Sequence, residues 1–366
     1  MLDQKTALRK LAEGQVQLRP LELRLLDTNV STNGATRIDW IVELTWENEA
    51  ARFAVEYTRI STPKNLRAAL AQLRSLSLAP GPLDRQTQQP SDGPPPPAPL
   101  LPMVMAPYLD PSELDQLAQE QISGIDFCGN GVVIVPGRWL VYRTGQPNEY
   151  PASAPIKKIY RGKSSLVGRL LVLGGGYLQV SALRDAIEER GGKISLGTVS
   201  KVLKVLDQEL IVSREKGIAV VQPDLLLDRL AENYEPPADL ERIRGRIPER
   251  PGLMEELTFL AQEKGIKLAA SGALRYAQIP SSDPYPPVYV ESLEAIADSI
   301  AFERTERFAN VEFRETRDPL VYFDRRRIED VWWSSPVQTY LELARGGTRD
   351  REFASELRVR LLEGKV

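Results

Sequence analysis

The stretch VSALRDAIEERGGKISLGTVSKVLKVLDQELIVSREKGIAVVQ, residues 180–222, decides how this chain is read. Its first part, VSALRDAIEERGG, has a helical pattern, with Ser181 as the expected N-cap and Gly191 as the stop. A short turn leads to SLGTVSKVLKVLDQ, a second helix starting at Ser195. Val199, Val202, Leu203 and Leu206 share one face at helical spacing and are expected in the core, which turns Thr198, Lys201 and Lys204 outward. The remainder, ELIVSREKGIAVVQ, gives two short strands around a charged turn that carries Arg214 and Lys216. Just upstream, KSSLVGRLLVLGGG (163–176) reads as a further helix stopped by glycines.

Three helices followed by a hairpin resemble a winged helix-turn-helix. In that fold the third helix enters the DNA major groove and the wing touches the backbone. The local charge agrees with it. Between Ile156 and Gly217 there are 12 Lys and Arg against 6 Asp and Glu, a local excess of +6, whereas the whole chain carries −3. Lys157, Lys158, Arg161 and Lys163 cluster ahead of the first helix, where they can meet phosphates. Ser195, Thr198, Ser200, Lys201 and Lys204 are candidate contacts to base edges or phosphates, joined by Arg214 and Lys216 on the wing. The exposed face between Ser195 and Lys204 has no Arg, Asn or Gln, so bidentate base readout is modest and DNA shape is expected to carry part of the specificity. A protein-docking winged helix, with the lysines as solvated surface, is the alternative.

Composition narrows the chemistry. The 366 residues are 42% hydrophobic and 27% charged, as in an ordinary globular protein of two or three domains. No apolar run approaches a membrane span, and MLDQKTALRKLAEG lacks a signal peptide's apolar core. With the single cysteine, Cys128, this favours the cytoplasm and no membrane partner. The chain has no histidine, which removes Ser-His and Cys-His nucleophile systems and His-ligated metal sites. Any catalysis must use carboxylates, Lys or Arg, hydroxyls, or a carboxylate-bound Mg²⁺ or Mn²⁺. The net charge of −3 gives no general affinity for nucleic acid, so a basic patch has to be local.

Turn-rich segments at 143–155 and 234–252 divide the chain into units of about 1–150, 156–236 and 240–366. The Pro-rich segment 80–99 is expected to be an extended loop inside the first unit. That unit alternates strand candidates at 18–26, 36–46, 51–60, 101–109 and 131–143 with helices at 64–78 and 111–121, an α/β domain with a mixed sheet. On ARFAVEYTRI, Glu56 and Thr58 share a face, and Asp39 stands one strand earlier. This order resembles the restriction-endonuclease-like PD-(D/E)XK fold. The resemblance implies that Asp39 and Glu56 are the Mg²⁺ carboxylates and that Thr58 occupies the lysine position. Thr58 cannot supply the cation, and Lys64, which opens the next helix, is the residue left to reach back. The domain therefore reads as nuclease-like and degenerate, with no confident catalytic residue and no cofactor beyond Mg²⁺. The other reading of Asp39 and Glu56 is as ordinary polar positions on a sheet.

The last unit reads as helix, strand, glycine turn and helix over 255–279, a strand in PPVYVES, further strands over 308–333, and helices after Ser335 and over about 350–362. It resembles a nucleotidyltransferase-like α/β domain. Active members carry a Gly-Ser turn and an Asp-x-Asp pair, whereas Ser271-Gly272 has the reverse order and VYVES offers Glu291 alone, so a noncatalytic domain is expected. The run Arg325–Arg326–Arg327 reads as a solvated turn or a phosphate contact. The GIDFCGN turn in ISGIDFCGNGVVIVPGRWLVYRTGQPN (122–148) precedes the winged helix. It and the order of the units are similar to the long bacterial regulators related to AbiEi-type antitoxins of type IV toxin–antitoxin systems. That resemblance implies a transcriptional regulator that binds double-stranded DNA, a possible homodimer, and a nucleotidyltransferase-type toxin as a conceivable partner. The rivals are a metal-dependent DNA endonuclease using Asp39 and Glu56, and a protein-only scaffold.

Overall fold

The computed structural model describes residues 2–32, 36–75, 100–151, 157–276 and 285–365. The Pro-rich segment 80–99 lies outside them. The fold is mixed α/β and divides into two compact units, Met1–Pro155 and Ile156–Val366. Among the described residues no helix is long and apolar enough to cross a membrane.

The first unit runs α1 (Gln4–Ala12), β1 (Glu22–Thr32), β2 (Thr36–Trp46), β3 (Glu49–Tyr57), α2 (Pro63–Ser75), β4 (Leu100–Ala106), α3 (Pro111–Gln119), β5 (Ser123–Asp126), β6 (Gly131–Val135) and β7 (Trp139–Arg143). The strands form one seven-stranded sheet in sequence order. The β3–β4 and β4–β5 pairs are parallel, and the flanking pairs are antiparallel. Parallel neighbours need a crossover, which explains why α2 and α3 stand where they do. Both faces of the central strands are covered, so RFAVEY is apolar on both sides. Phe53, Val55, Met103 and Met105 pack with Ala7 and Leu11 of α1 on one face. Ala54, Val104 and Ala106 meet Leu66, Leu70, Leu114 and Leu117 of α2 and α3 on the other.

The second unit begins with α4 (Ser165–Val172), α5 (Val180–Glu189), α6 (Leu196–Gln208), the hairpin of β8 (Val212–Ser213) and β9 (Ala219–Val220), and α7 (Pro223–Glu232). Tyr177 adds a third rung to the hairpin, its N–H donating to Ile218 O at 3.0 Å. The expected α6 starts at its N-cap Ser195, whose side chain accepts from Thr198 N. Gly191, at φ 82°, makes the left-handed turn ahead of it, which a side chain would strain. Ser181 is not the cap of α5. Gln179 holds that position, and the Ser181 hydroxyl bonds the Gln179 side chain instead.

The chain continues through β10 (Glu241–Arg246), α8 (Leu253–Glu263), β11 (Leu268–Ala270), α9 (Ala273–Tyr276), β12 (Val288–Val290), α10 (Glu294–Ala297), β13 (Glu303–Arg304), β14 (Val311–Glu315), β15 (Arg326–Ile328), β16 (Val331–Trp333), α11 (Pro336–Ala344) and α12 (Thr348–Leu362). Its strands make a second seven-stranded sheet, ordered β13-β10-β14-β12-β11-β16-β15. The segment 234–252 thus supplies a sheet strand where the turn residues suggested a boundary. Ile243 of β10 packs inward, and Gly245 leaves room for the ring of Phe302, which would sit 2.1 Å from an added Cβ. Segments 156–236 and 240–366 fall in one unit because they share a core. Leu166, Leu170, Leu203 and Leu230 cluster with Val337, Tyr340, Leu357 and Leu361 of α11 and α12.

Arg169 of α4 lies inside that junction and is buried. It donates to Gln338 Oε1 at 2.6 Å and Leu320 O at 3.2 Å, and its guanidinium lies 6.0 Å from the Tyr234 ring. Burial lowers its pKa. Gln338 relays the charge, since its amide donates to Glu342 at 2.6 Å and to the Tyr234 hydroxyl at 3.0 Å. A buried charge that loses its partner is costly, whereas removing charge and partner together is not. Gln338→Leu should therefore destabilise the second unit by about 2–4 kcal/mol. The double variant Arg169→Met/Gln338→Leu should lose less than Gln338→Leu alone when both are followed by urea denaturation. Losses that simply add would contradict this account of the junction.

Candidate functional site

The sheet of the first unit brings Asp39 and Glu56 together. In the β2–β3 register Trp40 faces Val55, which sets the two carboxyls side by side at the next position. Asp39 accepts from Gln4 Nε2 at 2.7 Å and from Tyr57 N at 3.0 Å, so its side chain takes up a strand N–H. Glu56 is buried and accepts from Gln72 Nε2 at 2.7 Å, an amide that also donates to Arg37 O at 3.0 Å. Burial, then the charge and hydrogen bond of Asp39, push the Glu56 carboxyl up from 4.5 to about 8. A carboxylate beside a buried carboxyl favours the protonated form of that carboxyl, which is the direction of the Glu56 shift.

This geometry does not suit a Mg²⁺ ion as it stands. Mg²⁺ takes oxygen ligands in a near-octahedral shell, and here both carboxyls are held by protein N–H donors and by one another. Among the described residues no three His, Cys, Asp or Glu side chains gather as a metal-ligand group. Thr58, at the position two after Glu56, is buried and gives its hydroxyl to Ile60 O at 2.8 Å. Because β3 ends at Tyr57, strand alternation no longer governs Thr58 and Arg59. Both line a cleft of about 470 Å³ beside the pair, together with Gln4, Tyr57, Ile60 and Asn65. Lys64 is exposed on α2 and is not among the residues lining that cleft.

The GIDFCGN turn is built around a fully buried carboxylate. Asp126 accepts from Leu109 N at 3.0 Å and from Cys128 N, Asn130 N and Asn130 Nδ2, each at 2.8 Å. Asn130 Oδ1 in turn accepts from Gln146 N at 2.8 Å, tying the turn to the chain after β7. The motif is thus a hydrogen-bonded brace. Burial pushes the Cys128 thiol up to about 11, which leaves it a poor nucleophile.

Most of the basic candidates before α4, on α6 and on the hairpin turn are displayed on the surface of the second unit. Lys158, Arg161, Lys163, Lys201, Lys204, Arg214 and Lys216 are exposed, as is Ser195 at the start of α6, while Thr198 and Ser200 are half-buried. The side chain of Lys157 lies outside the described residues. Arg161 is engaged by Glu235 at 2.6 Å. Lys201 and Lys204 stand one turn apart on α6, opposite the buried Val199, Val202, Leu203 and Leu206. Ser195 and Thr198 are joined through their hydroxyls at 2.9 Å, which commits part of their polar capacity to the helix start.

The Ser271-Gly272 turn follows β11, and Gly272 N donates to Ser334 Oγ at 2.9 Å. An added Cβ at Gly272 would lie 2.2 Å from Thr339 Oγ1, so the turn is packed against α11. Glu291 accepts from Lys267 N at 3.1 Å. A cleft of about 570 Å³ opens beside this turn and was not expected from the sequence. Its carboxylates, Glu342 and Asp350, are engaged by Gln338 and by the N–H of Gly347. The arginine run is also structural in part. Arg325 stacks 4.5 Å from the Trp332 ring and donates to Leu268 O, while Arg326 and Arg327 pair with Asp324 and Asp330.

The raised Glu56 carboxyl has a thermodynamic consequence. A folded state that holds a proton up to about pH 8, against an ordinary value of 4.5, is fully stabilised below pH 4.5 and loses that stability as pH rises towards 8. Glu113, buried and also raised to about 8, acts with the same sign. Calorimetry should show the first unit melting lower at pH 8.5 than at pH 5, and Glu56→Gln should shrink the difference by on the order of a few kcal/mol. An undiminished difference in Glu56→Gln would contradict the raised Glu56 carboxyl.

Comparison with known proteins finds no matching family model, no matching curated protein and no matching solved structure.

Proposed function

We propose that this chain is a double-stranded-DNA-binding transcriptional regulator that reads DNA through residues 157–220 as a winged helix. The observation that carries the reading is the outer face of α6. Lys201 and Lys204 are exposed there, and Arg214 and Lys216 are exposed on the neighbouring hairpin turn. None of these four has an ion-pair or hydrogen-bond partner among the described residues. Helix α6 buries its apolar stripe against α4 and α5, so the lysines are held on a rigid element and remain available to phosphates. In this reading the first unit is a nuclease-like scaffold whose carboxyl pair serves stability, and residues 240–366 are a noncatalytic nucleotidyltransferase-like portion. An AbiEi-antitoxin-like role, with a homodimer on paired half-sites and a nucleotidyltransferase-type toxin as partner, follows from the sequence resemblance.

The second reading, a Mg²⁺-dependent endonuclease, is favoured by the meeting of Asp39 and Glu56. It requires Glu56 to surrender its proton and the Gln4 and Gln72 amides to turn their oxygens inward. Plasmid nicking in Mg²⁺ or Mn²⁺ that disappears in Glu56→Ala would establish this reading over the first.

Lys201→Ala/Lys204→Ala tests the regulator. Binding to duplex DNA should weaken by about tenfold or more at 0.15 M salt, and the salt dependence should flatten by about two phosphate contacts. Unchanged affinity and slope would remove α6 from the interface.

A further inference from the structure

We infer that a basic cleft formed jointly by the helical portion and the second-sheet portion of the Ile156–Val366 unit is a phosphate-binding site. On the regulator reading, on which this identification of the ligand rests, the phosphate is one of the DNA backbone. The cleft has a volume of about 260 Å³. Four cationic residues line it: Lys163 ahead of α4, Lys193 in the turn before α6, Lys267 at the start of β11, and Arg317 after β14. No carboxylate is among its lining residues. Lys163 and Lys193 have no ion-pair partner among the described residues, and Lys267 Nζ lies over the Tyr322 ring at 5.8 Å. Two carboxylates bond the segments that carry Lys267 and Arg317. Glu291 accepts from Lys267 N, and Asp239 accepts from the Thr316 hydroxyl at 2.6 Å and Arg317 N at 2.9 Å.

The walls of the cleft are fixed. Leu320, which lines it, receives the buried Arg169 on its carbonyl, and Arg190 joins the α5 end to Asp324 through an ion pair at 3.3 Å and a backbone hydrogen bond at 3.0 Å. Cationic side chains gathered on one cleft repel one another, and a bound phosphate relieves that repulsion. The glycines of the α5–α6 turn keep the approach to Lys193 free of side chains. Lys193 precedes the N-cap of α6 by two residues, so an anion here lies at the base of the helix proposed to read DNA.

The test is a salt titration of duplex binding with Lys267→Ala/Arg317→Ala, both residues lying outside the winged helix. Affinity for every duplex sequence should fall about tenfold or more at 0.15 M salt, with the slope reduced by about two. The charge-preserving Lys267→Arg/Arg317→Lys should stay near wild type. Unchanged affinity and slope in the alanine variant would overturn the assignment. If the wild-type chain binds no duplex, the regulator reading fails, and the cleft is judged with inorganic pyrophosphate at constant ionic strength. A rise in melting temperature that the alanine variant loses supports an anion site for a small phosphorylated ligand. No rise in the wild type overturns it.

Discussion

A buried arginine holds the second unit in one piece. Arg169 enters from a helix of the DNA-binding candidate and ends on the carbonyl of Leu320 and the side chain of Gln338, both from the portion beyond β10. A guanidinium there must have fixed acceptors, because water is excluded and the charge cannot be given up cheaply. The surrounding leucines and tyrosines supply the bulk of the packing, and the arginine supplies its register. The exposed lysines of α6 and the wall that carries Lys267 and Arg317 are therefore parts of one body.

The first unit meets a similar constraint with carboxyls. Asp39 gives its side chain to a strand N–H, and Glu56 stays protonated beneath it, braced by Gln72 of α2. The Gln4 and Gln72 amides donate to the two carboxyls there.

Much of this was legible in the sequence. The 3.6 spacing of Val199, Val202, Leu203 and Leu206, with Ser195 ahead of them, places α6 correctly because periodicity and cap chemistry point the same way. RFAVEY reads as a buried strand because apolar residues fill both of its faces. The charged string ERIRGR did not read as a strand, since Ile243 is its one aliphatic side chain and Gly245 is needed for Phe302, a contact set by tertiary packing. The amphipathic N-terminal stretch forms α1, an element not among those expected, held by its Asp3 cap and the packing of Ala7 and Leu11. The raised carboxyl of Glu56 depends on burial, which the local sequence does not display. The basic cleft gathers residues 163, 193, 267 and 317, which no local pattern connects.

The most direct measurement is selection of bound DNA from a fragmented genomic pool, with the recovered duplexes checked for nicks in Mg²⁺. Enrichment of a discrete set of intact duplexes is the result expected of a regulator. Recovery of no DNA above background at low salt, where phosphate contacts are strongest, or of duplexes nicked at the bound sites, would contradict it.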